Sequence, residues 1–480
     1  MGALARSIPP AVRAFVRLGP VSPSPTVHTR VAWGTVVNMA VILLILDGVA
    51  DRPWDSLGGL TPLQAAHTPN LDRFAAAGQT GLMHPLGRGM APGSELSHFV
   101  LFGYPHELYP GRAVFEAAGE GLPLTGDEVV FRGLFSTVER ADDGSLRVLT
   151  RRTEIDDESC RELSAAISPF THDDITIEFV YNSQHQGIVF VRGSGASRPS
   201  EDVTDSDPYV PGEHVIRPQA LDDARDRLAA RETAAAMEQW LVFVHATLDE
   251  HPVNQARRAR GEEPANFLLV KWSARYAPLR SFEEQNGLVG ASVSSGVTYK
   301  GIADVLGMRW YGCDYLPDHA DDLRARIALA ARAVAEGCEF VHVHTKATDV
   351  AGHTKDPATK RDVIAALDAA IPALWDEGLV APENLVIVTG DHGTPSGTVL
   401  VHSGDAVPFA MAGAATFADD VAGFDERSCA SGSLGHLEGR DVMPEALNRI
   451  ARIKYMSAKL TPAGGVFWPT RTEPLRVPGN

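Results

Sequence analysis

Three strand-like runs each close on an aspartate: VILLILD on Asp47, FVHVHTKATD on Asp349 and NLVIVTGD on Asp391. A run such as VILLIL, with no polar alternation, suits a strand buried on both faces, as in parallel sheets covered by helices on either side. Helical stretches separate these runs. TPNLDRFAAAG (68–78), DDLRARIALAARAVAEG (321–337) and RDVIAALDAAIPALWDEG (361–378) each show apolar spacing that closes on a glycine. The pattern predicts an α/β core, and in open sheets of that class ligands bind beyond the carboxyl ends of the strands. Those acids are therefore placed where chemistry is done.

The texture changes between residues 124 and 276. Short β-rich pieces (VVFRGLFSTV, ITIEFVY, GIVFVRG), a polar loop at 193–214 and one long helical stretch replace the strand and helix alternation. The expected organisation is a core of 39–123 plus 277–460 interrupted by an inserted α+β domain, 124–276, with a tail at 461–480. Residues 1–38 carry Arg6, Arg13, Arg17 and Arg30 and no acid. They read as an extension outside the fold or an over-called start with Met39 as the true one; a transit-type leader is the alternative.

Composition narrows the function classes. With 43 basic and 61 acidic residues the formal charge is −18, which argues against a nucleic-acid or anionic-membrane surface. No apolar run approaches the roughly 20 residues of a membrane span. Four scattered cysteines, Cys160, Cys313, Cys338 and Cys429, form no CxxC pair. This usage suggests a reducing, cytoplasmic setting. Nothing in the composition speaks to oligomeric state.

Taken singly, the candidate site residues are ambiguous. An aspartate at a strand end is commonly a turn residue, and Asp349 with His353, four apart on one helix face, is commonly a surface pair. Ser94, in APGSELSH, reads locally first as a helix N-cap and only second as a nucleophile shown at a helix N-terminus. Taken together, Asp47, Asp349, His353, Asp391, His392 and His402 mix carboxylate and imidazole at one sheet edge. That donor set suits Mn²⁺, Zn²⁺, Co²⁺ or Fe²⁺ and is large enough for two neighbouring ions. A dimetal site clamps the attacking and leaving oxygens of a phosphoryl displacement.

The ordered segments DGVADRP, LGGLTPLQAAHTPNLDRFAAAG, PGSELSHFVLFGYP, YPGRAVFEAAGEG, TKATDVAGH, GDHGTPS and HSGDAVP resemble the archaeal-type cofactor-independent phosphoglycerate mutases of the alkaline phosphatase superfamily. The resemblance implies an alkaline-phosphatase-like three-layer α/β/α sandwich with an inserted lid, two divalent metals (Mn²⁺ foremost, Zn²⁺ or Co²⁺ otherwise) and a transiently phosphorylated serine. It places one metal on Asp349, His353 and His402, and the other on Asp47, Asp391, His392 and the nucleophile Ser94. It also implies a catalytic role for Lys346 and substrate contacts for His98 and Arg112, and Lys271 is a further candidate substrate contact. The reaction implied is interconversion of 3- and 2-phosphoglycerate, with a small phosphorylated or phosphonate carboxylate as substrate.

Two positions depart from the family pattern. An Arg-Gly pair usual after the ANxLLL-type strand is Lys271-Trp272 here, and an arginine usual before a GVLV-like strand is Gln186, preceded by His185. Neither lysine nor glutamine reproduces the planar fork of a guanidinium. They leave open a different substrate on the same machinery: a phosphonate- or nucleotide-linked donor with a glycerate-type acceptor, or a phosphatase or phosphodiesterase. A metal-binding regulator on an inactive enzyme fold is the non-enzymatic alternative.

Overall fold

In the computed structural model, the strand Val41–Leu46 divides its six apolar side chains between two cores. Ile42, Leu44 and Leu46 enter one cluster with Leu71, Phe74, Leu323, Ile327, Ile364 and Leu367. Val41, Leu43 and Ile45 enter another with Phe99, Leu101, Tyr299, Ile302, Val442 and Met443. Successive strand side chains point to opposite faces, so an unbroken apolar run requires a cover on each. The helices Pro69–Ala76, His319–Ala335 and Pro357–Asp368 supply one cover, and Ser94–Leu101, Val297–Val305 and Val442–Arg449 the other. The result is a three-layer α/β/α arrangement. Residues 39–183, 185–461, 464–469 and 475–476 are described; the expectation for residues 1–38 and most of that for the tail lie outside them.

The strands in chain order are β1 (Val41–Leu46), β2 (Gln79–His84), β3 (Val129–Arg140), β4 (Leu146–Thr150), β5 (Phe170–His172), β6 (Ile175–Ser183), β7 (Gln186–Gly193), β8 (Phe267–Ala274), β9 (Gly290–Ser294), β10 (Arg309–Gly312), β11 (Phe340–Thr345), β12 (Leu385–Thr389), β13 (Val407–Gly413) and β14 (Gly435–Glu438). Eight form one sheet in the order β10-β9-β11-β1-β12-β13-β2-β14. All neighbours in it are parallel except β13, which runs antiparallel to both β12 and β2. No helix intervenes between β12 and β13, and without a crossover element the chain turns back on itself.

The other six strands form an antiparallel sheet, β4-β3-β7-β6-β5 with β8 also on β3, and all of them fall within residues 124–276. Its core gathers Phe131, Phe135, Phe179 and Phe267 against the helices Asp157–Ile167 and Arg227–Asp249. Trp240, fully buried there, donates its indole N–H to the Ile167 carbonyl at 3.1 Å. Among the described residues no helix is long and apolar enough to cross a membrane.

Candidate active site

The register β11-β1-β12 brings the three aspartates together. Asp47 follows β1, whose last residue Leu46 pairs with Thr345, and Asp391 follows the neighbouring β12. Asp349 and His353 lie on the short helix Ala347–His353 just beyond β11. Gly48 makes the approach possible. Its φ is +66°, its N–H donates to Asp391 Oδ1 at 2.9 Å, and a β-carbon there would sit 2.4 Å from Thr394 Oγ1 and 3.0 Å from the Asp349 backbone. Only glycine meets both demands at low cost.

Ser94 is not the helix cap that its flanking residues suggest. Gly93 occupies the N-cap position and Ser94 is the first helical residue. Its hydroxyl is 2.9 Å from His392 Nε2 instead. His392 also contacts Asp47 Oδ1 at 3.3 Å and Asp391 Oδ2 at 3.4 Å, and it stacks on His402 with ring centroids 3.7 Å apart. His402 is oriented by its Nδ1, 2.8 Å from the Pro92 carbonyl, which turns Nε2 toward Asp349 Oδ1 at 3.6 Å. His353 Nε2 reaches the same oxygen at 3.3 Å. Two groups of ligand atoms are therefore close enough to share an ion: Asp349, His353 and His402, and Asp47, Asp349 and His392. Asp391 lies at the edge of the second.

The charge balance of this cluster points to cations. Three aspartates are buried together. The cation paired with them is Lys346, whose ammonium lies 3.0 Å from Asp47 Oδ2 and 2.9 Å from Asp349 Oδ2. Burial raises the Asp47 pKa, but Lys346 and the hydrogen bond from His344 outweigh it and hold the carboxyl far below its ordinary range. Asp349 is likewise held low against burial, by His353, His402 and Lys346. Asp391 goes the other way, pushed well up by burial and by the Asp47 charge. Burial and the His402 neighbour bring His392 down to about 3, so its imidazole is neutral and free to ligate. Asp47 Oδ1 and Asp391 Oδ2 are buried without a hydrogen-bond partner, a costly state that a bound divalent cation relieves. The residues fit such ions.

The remaining predicted residues divide. Arg112 begins the helix Arg112–Gly119, pairs with Glu95 and Glu116, and borders a cavity of about 200 Å³ together with Ser94, Tyr299, Tyr315 and Lys346. His98 is fully buried on the same helix as Ser94, its Nδ1 2.7 Å from the Ser94 carbonyl and 3.6 Å from Asp391 Oδ2. Lys271 is buried in the second sheet, where its ammonium meets Asp207 at 2.8 Å. Asp207 also accepts from Arg151. Gln186 accepts from Arg132. Both departures from the family pattern are thus engaged with neighbours in or beside that sheet.

Sequence reasoning missed several supports. Tyr299 and His344 each hold Asp47 Oδ2, at 2.9 and 2.8 Å, and Thr394 donates to Asp349 Oδ1 at 2.7 Å. His342 and His344 alternate in FVHVHT, a two-residue period that places both on one face of β11. That signal was present. For Tyr299, 252 residues from Asp47, there was none.

Sheet, covering helices and site together define an α/β protein with an acid and imidazole centre, built for divalent ions, beside a serine at a helix start. The family model described as 2,3-bisphosphoglycerate-independent phosphoglycerate mutase matches residues 75–254. A phosphoglycerate mutase of that description from Methanocaldococcus jannaschii is 34% identical over 421 residues, covering 85% of this chain and 93% of the relative. One from Pyrococcus horikoshii is 32% identical, covering 88% and 100%. Among solved structures, a Pyrococcus horikoshii protein superposes with a TM-score of 0.69 at 29% identity, covering 87% of this chain and 99% of that one. The cofactor-independent phosphoglycerate mutase from Thermoplasma acidophilum gives 0.57 at 31%, covering 86% and 100%. The chain belongs to the 2,3-bisphosphoglycerate-independent phosphoglycerate mutase family.

Proposed function

We propose that this protein is an isomerase that interconverts 3- and 2-phosphoglycerate through phosphorylated Ser94. The observation that carries the reading is the Ser94 hydroxyl, 2.9 Å from His392 and bordering a cavity of about 200 Å³ with Lys346 and Arg112. Ser94 attacks phosphorus, the ester bond to the glycerate breaks, and the second glycerate hydroxyl takes the phosphoryl group back. In this reading Asp349, His353 and His402 hold one divalent ion, and Asp47, Asp391, His392 and Ser94 the other. Mn²⁺ is the first choice and Zn²⁺ or Co²⁺ the next. Bound there, such ions favour the serine alkoxide and offset charge on the transferred group.

The chain's own groups do the rest. Lys346, straddling Asp47 and Asp349, presents an ammonium to the phosphoryl oxygens. Arg112 is placed for the substrate carboxylate. The segment 124–276 acts as a lid over the core of 39–123 and 277–460, because a phosphoserine open to water would be hydrolysed and the mutase would become a phosphatase. A cytoplasmic location suits the four scattered cysteines, which form no CxxC pair.

The test is intact mass after mixing Mn²⁺-loaded protein with 3-phosphoglycerate, beside a coupled assay for 2-phosphoglycerate. A phosphate adduct that Ser94→Ala abolishes, with product formed, supports the reading. Metal-loaded protein that forms neither adduct nor product overturns it.

A further inference from the structure

Trp272 holds a backbone conformation that its side chain disfavours. Its φ is +59°, in the left-handed region where glycine is the ordinary occupant and a bulky residue is an outlier. The cause is a β-bulge. β3 and β8 pair Val130 with Ala274 and Arg132 with Lys271, so Phe131 alone faces both Trp272 and Ser273. A bulge of this kind takes glycine at its left-handed position, and here tryptophan stands in it. The strained residue is anchored by its own N–H, which donates to Asp205 Oδ1 at 2.8 Å.

The bulge aims the indole at cations from both sheets' surroundings. The guanidinium carbons of Arg112 and Arg132 lie 4.8 and 5.4 Å from the Trp272 ring, and the Lys271 ammonium 4.4 Å from it. Arg112 and Arg132 are tied together from the other side by one oxygen, Glu116 Oε1, which accepts from Arg112 Nε at 2.7 Å and Arg132 Nη1 at 3.0 Å. Arg112 Nη1 reaches Glu95 at 3.3 Å, which leaves Nη2 without a partner among the described residues. Arg132 Nε is buried and also without one. An indole face lying against a guanidinium restrains it without using any of its donors. Arg112 borders the cavity that holds Ser94, so restraining it restrains the donors offered to whatever lies beside Ser94.

We propose that Trp272 is a specificity-determining positioning residue: it acts through Arg112 to set the subsite for the carboxylate of the substrate. This rests on the phosphoglycerate reading of the site and adds to it the group that tells a phosphoglycerate from a simple phosphoester. With phosphorus at Ser94, the carboxylate is the other charged end of the molecule. The strain at Trp272 is tolerated because the contact compensates for it, whereas a purely structural bulge would be better served by glycine.

The experiment compares wild type, Trp272→Gly and Trp272→Phe, all Mn²⁺-loaded, on 3-phosphoglycerate and on p-nitrophenyl phosphate, which has no carboxylate. Trp272→Gly is expected to lower the ratio of the two kcat/KM values about tenfold, mainly through KM for 3-phosphoglycerate. Trp272→Phe restores part of that ratio. The Tm of Trp272→Gly does not fall, because glycine relieves the backbone strain. A ratio unchanged in Trp272→Gly overturns the proposal, whether both rates stay or both fall together. A wild type that cleaves p-nitrophenyl phosphate but isomerises nothing overturns the mutase reading alone. The proposal is then read from inhibition of that cleavage by 2-phosphoglycerate, expected to weaken about tenfold in Trp272→Gly. Inhibition equal in the two proteins, or none in the wild type, overturns it.

Discussion

The Ser94 hydroxyl and Nε2 of His392 lie 2.9 Å apart although 298 residues separate them. The contact joins the start of one helix to the loop after β12, and it frees Ser94 from capping duty, which falls to Gly93. Replacement of Ser94 by alanine is therefore expected to spare the helix. Activity should drop about 10³-fold or more while Tm and metal content stay near wild type, since the proposed nucleophile is lost and the carboxylates and imidazoles proposed to hold the ions remain. Turnover measured beside elemental analysis checks this, and a variant that keeps normal turnover excludes Ser94 as nucleophile.

Metal removal separates the two ligand groups. Asp349 belongs to both, whereas His353 and His402 belong to one. Wild type is expected to bind about two divalent ions per chain, and His353→Ala about one. Chelation lowers the Tm of both proteins, because an ion held only by the folded state stabilises it. Equal stoichiometry in the two proteins would contradict the assignment.

Lys360 supports the site from beneath. Its fully buried ammonium donates to Asp51 Oδ2 at 3.0 Å, to the Ala50 carbonyl at 2.9 Å and to the Thr394 carbonyl at 2.9 Å, clamping the loop after β1 to the loop after β12. Lys360→Met strands a buried carboxylate, and a loss of about 3–5 kcal/mol in unfolding free energy is expected. Adding Asp51→Asn removes the stranded charge and should recover part of it. Urea denaturation of the single and double variants measures both.

Asp207 gives the second sheet an acid limit. Burial raises its pKa, but hydrogen bonds from Arg151 and Lys271 bring it from 3.8 down to about 2. A carboxyl depressed in the folded state contributes stability that is present above its unfolded value and lost as pH falls through the folded one. The window here runs from about pH 4 down to about pH 2, and the contribution is about 2 kcal/mol. In thermal scans across that window, Asp207→Asn should show a shallower fall in Tm than wild type. Parallel slopes would mean that Asp207 is not the group responsible.

Much of the site was legible before folding because its acids sit at strand ends. Asp47, Asp349 and Asp391 close runs whose apolar character alone implies a covered, largely parallel sheet, and the carboxyl ends of such strands share one edge. His353 follows from helical spacing. The antiparallel turn of β13 was less visible, since it depends on the absence of a crossover helix between two strands that look alike.

What local pattern determined, then, was the sheet and the identity of the acids and imidazoles along its edge, because strand and helix periods act over a few residues. Tertiary structure alone decided how distant charges pair. Lys271 meets Asp207 across 64 residues, Arg132 meets Gln186 across 54, and Tyr299 reaches Asp47 across 252. The same holds for Trp272, whose left-handed backbone arises from a bulge between β3 and β8 that neither strand encodes by itself. Such contacts depend on the packing of whole sheets, and a buried charge takes whichever partner that packing brings within hydrogen-bond reach.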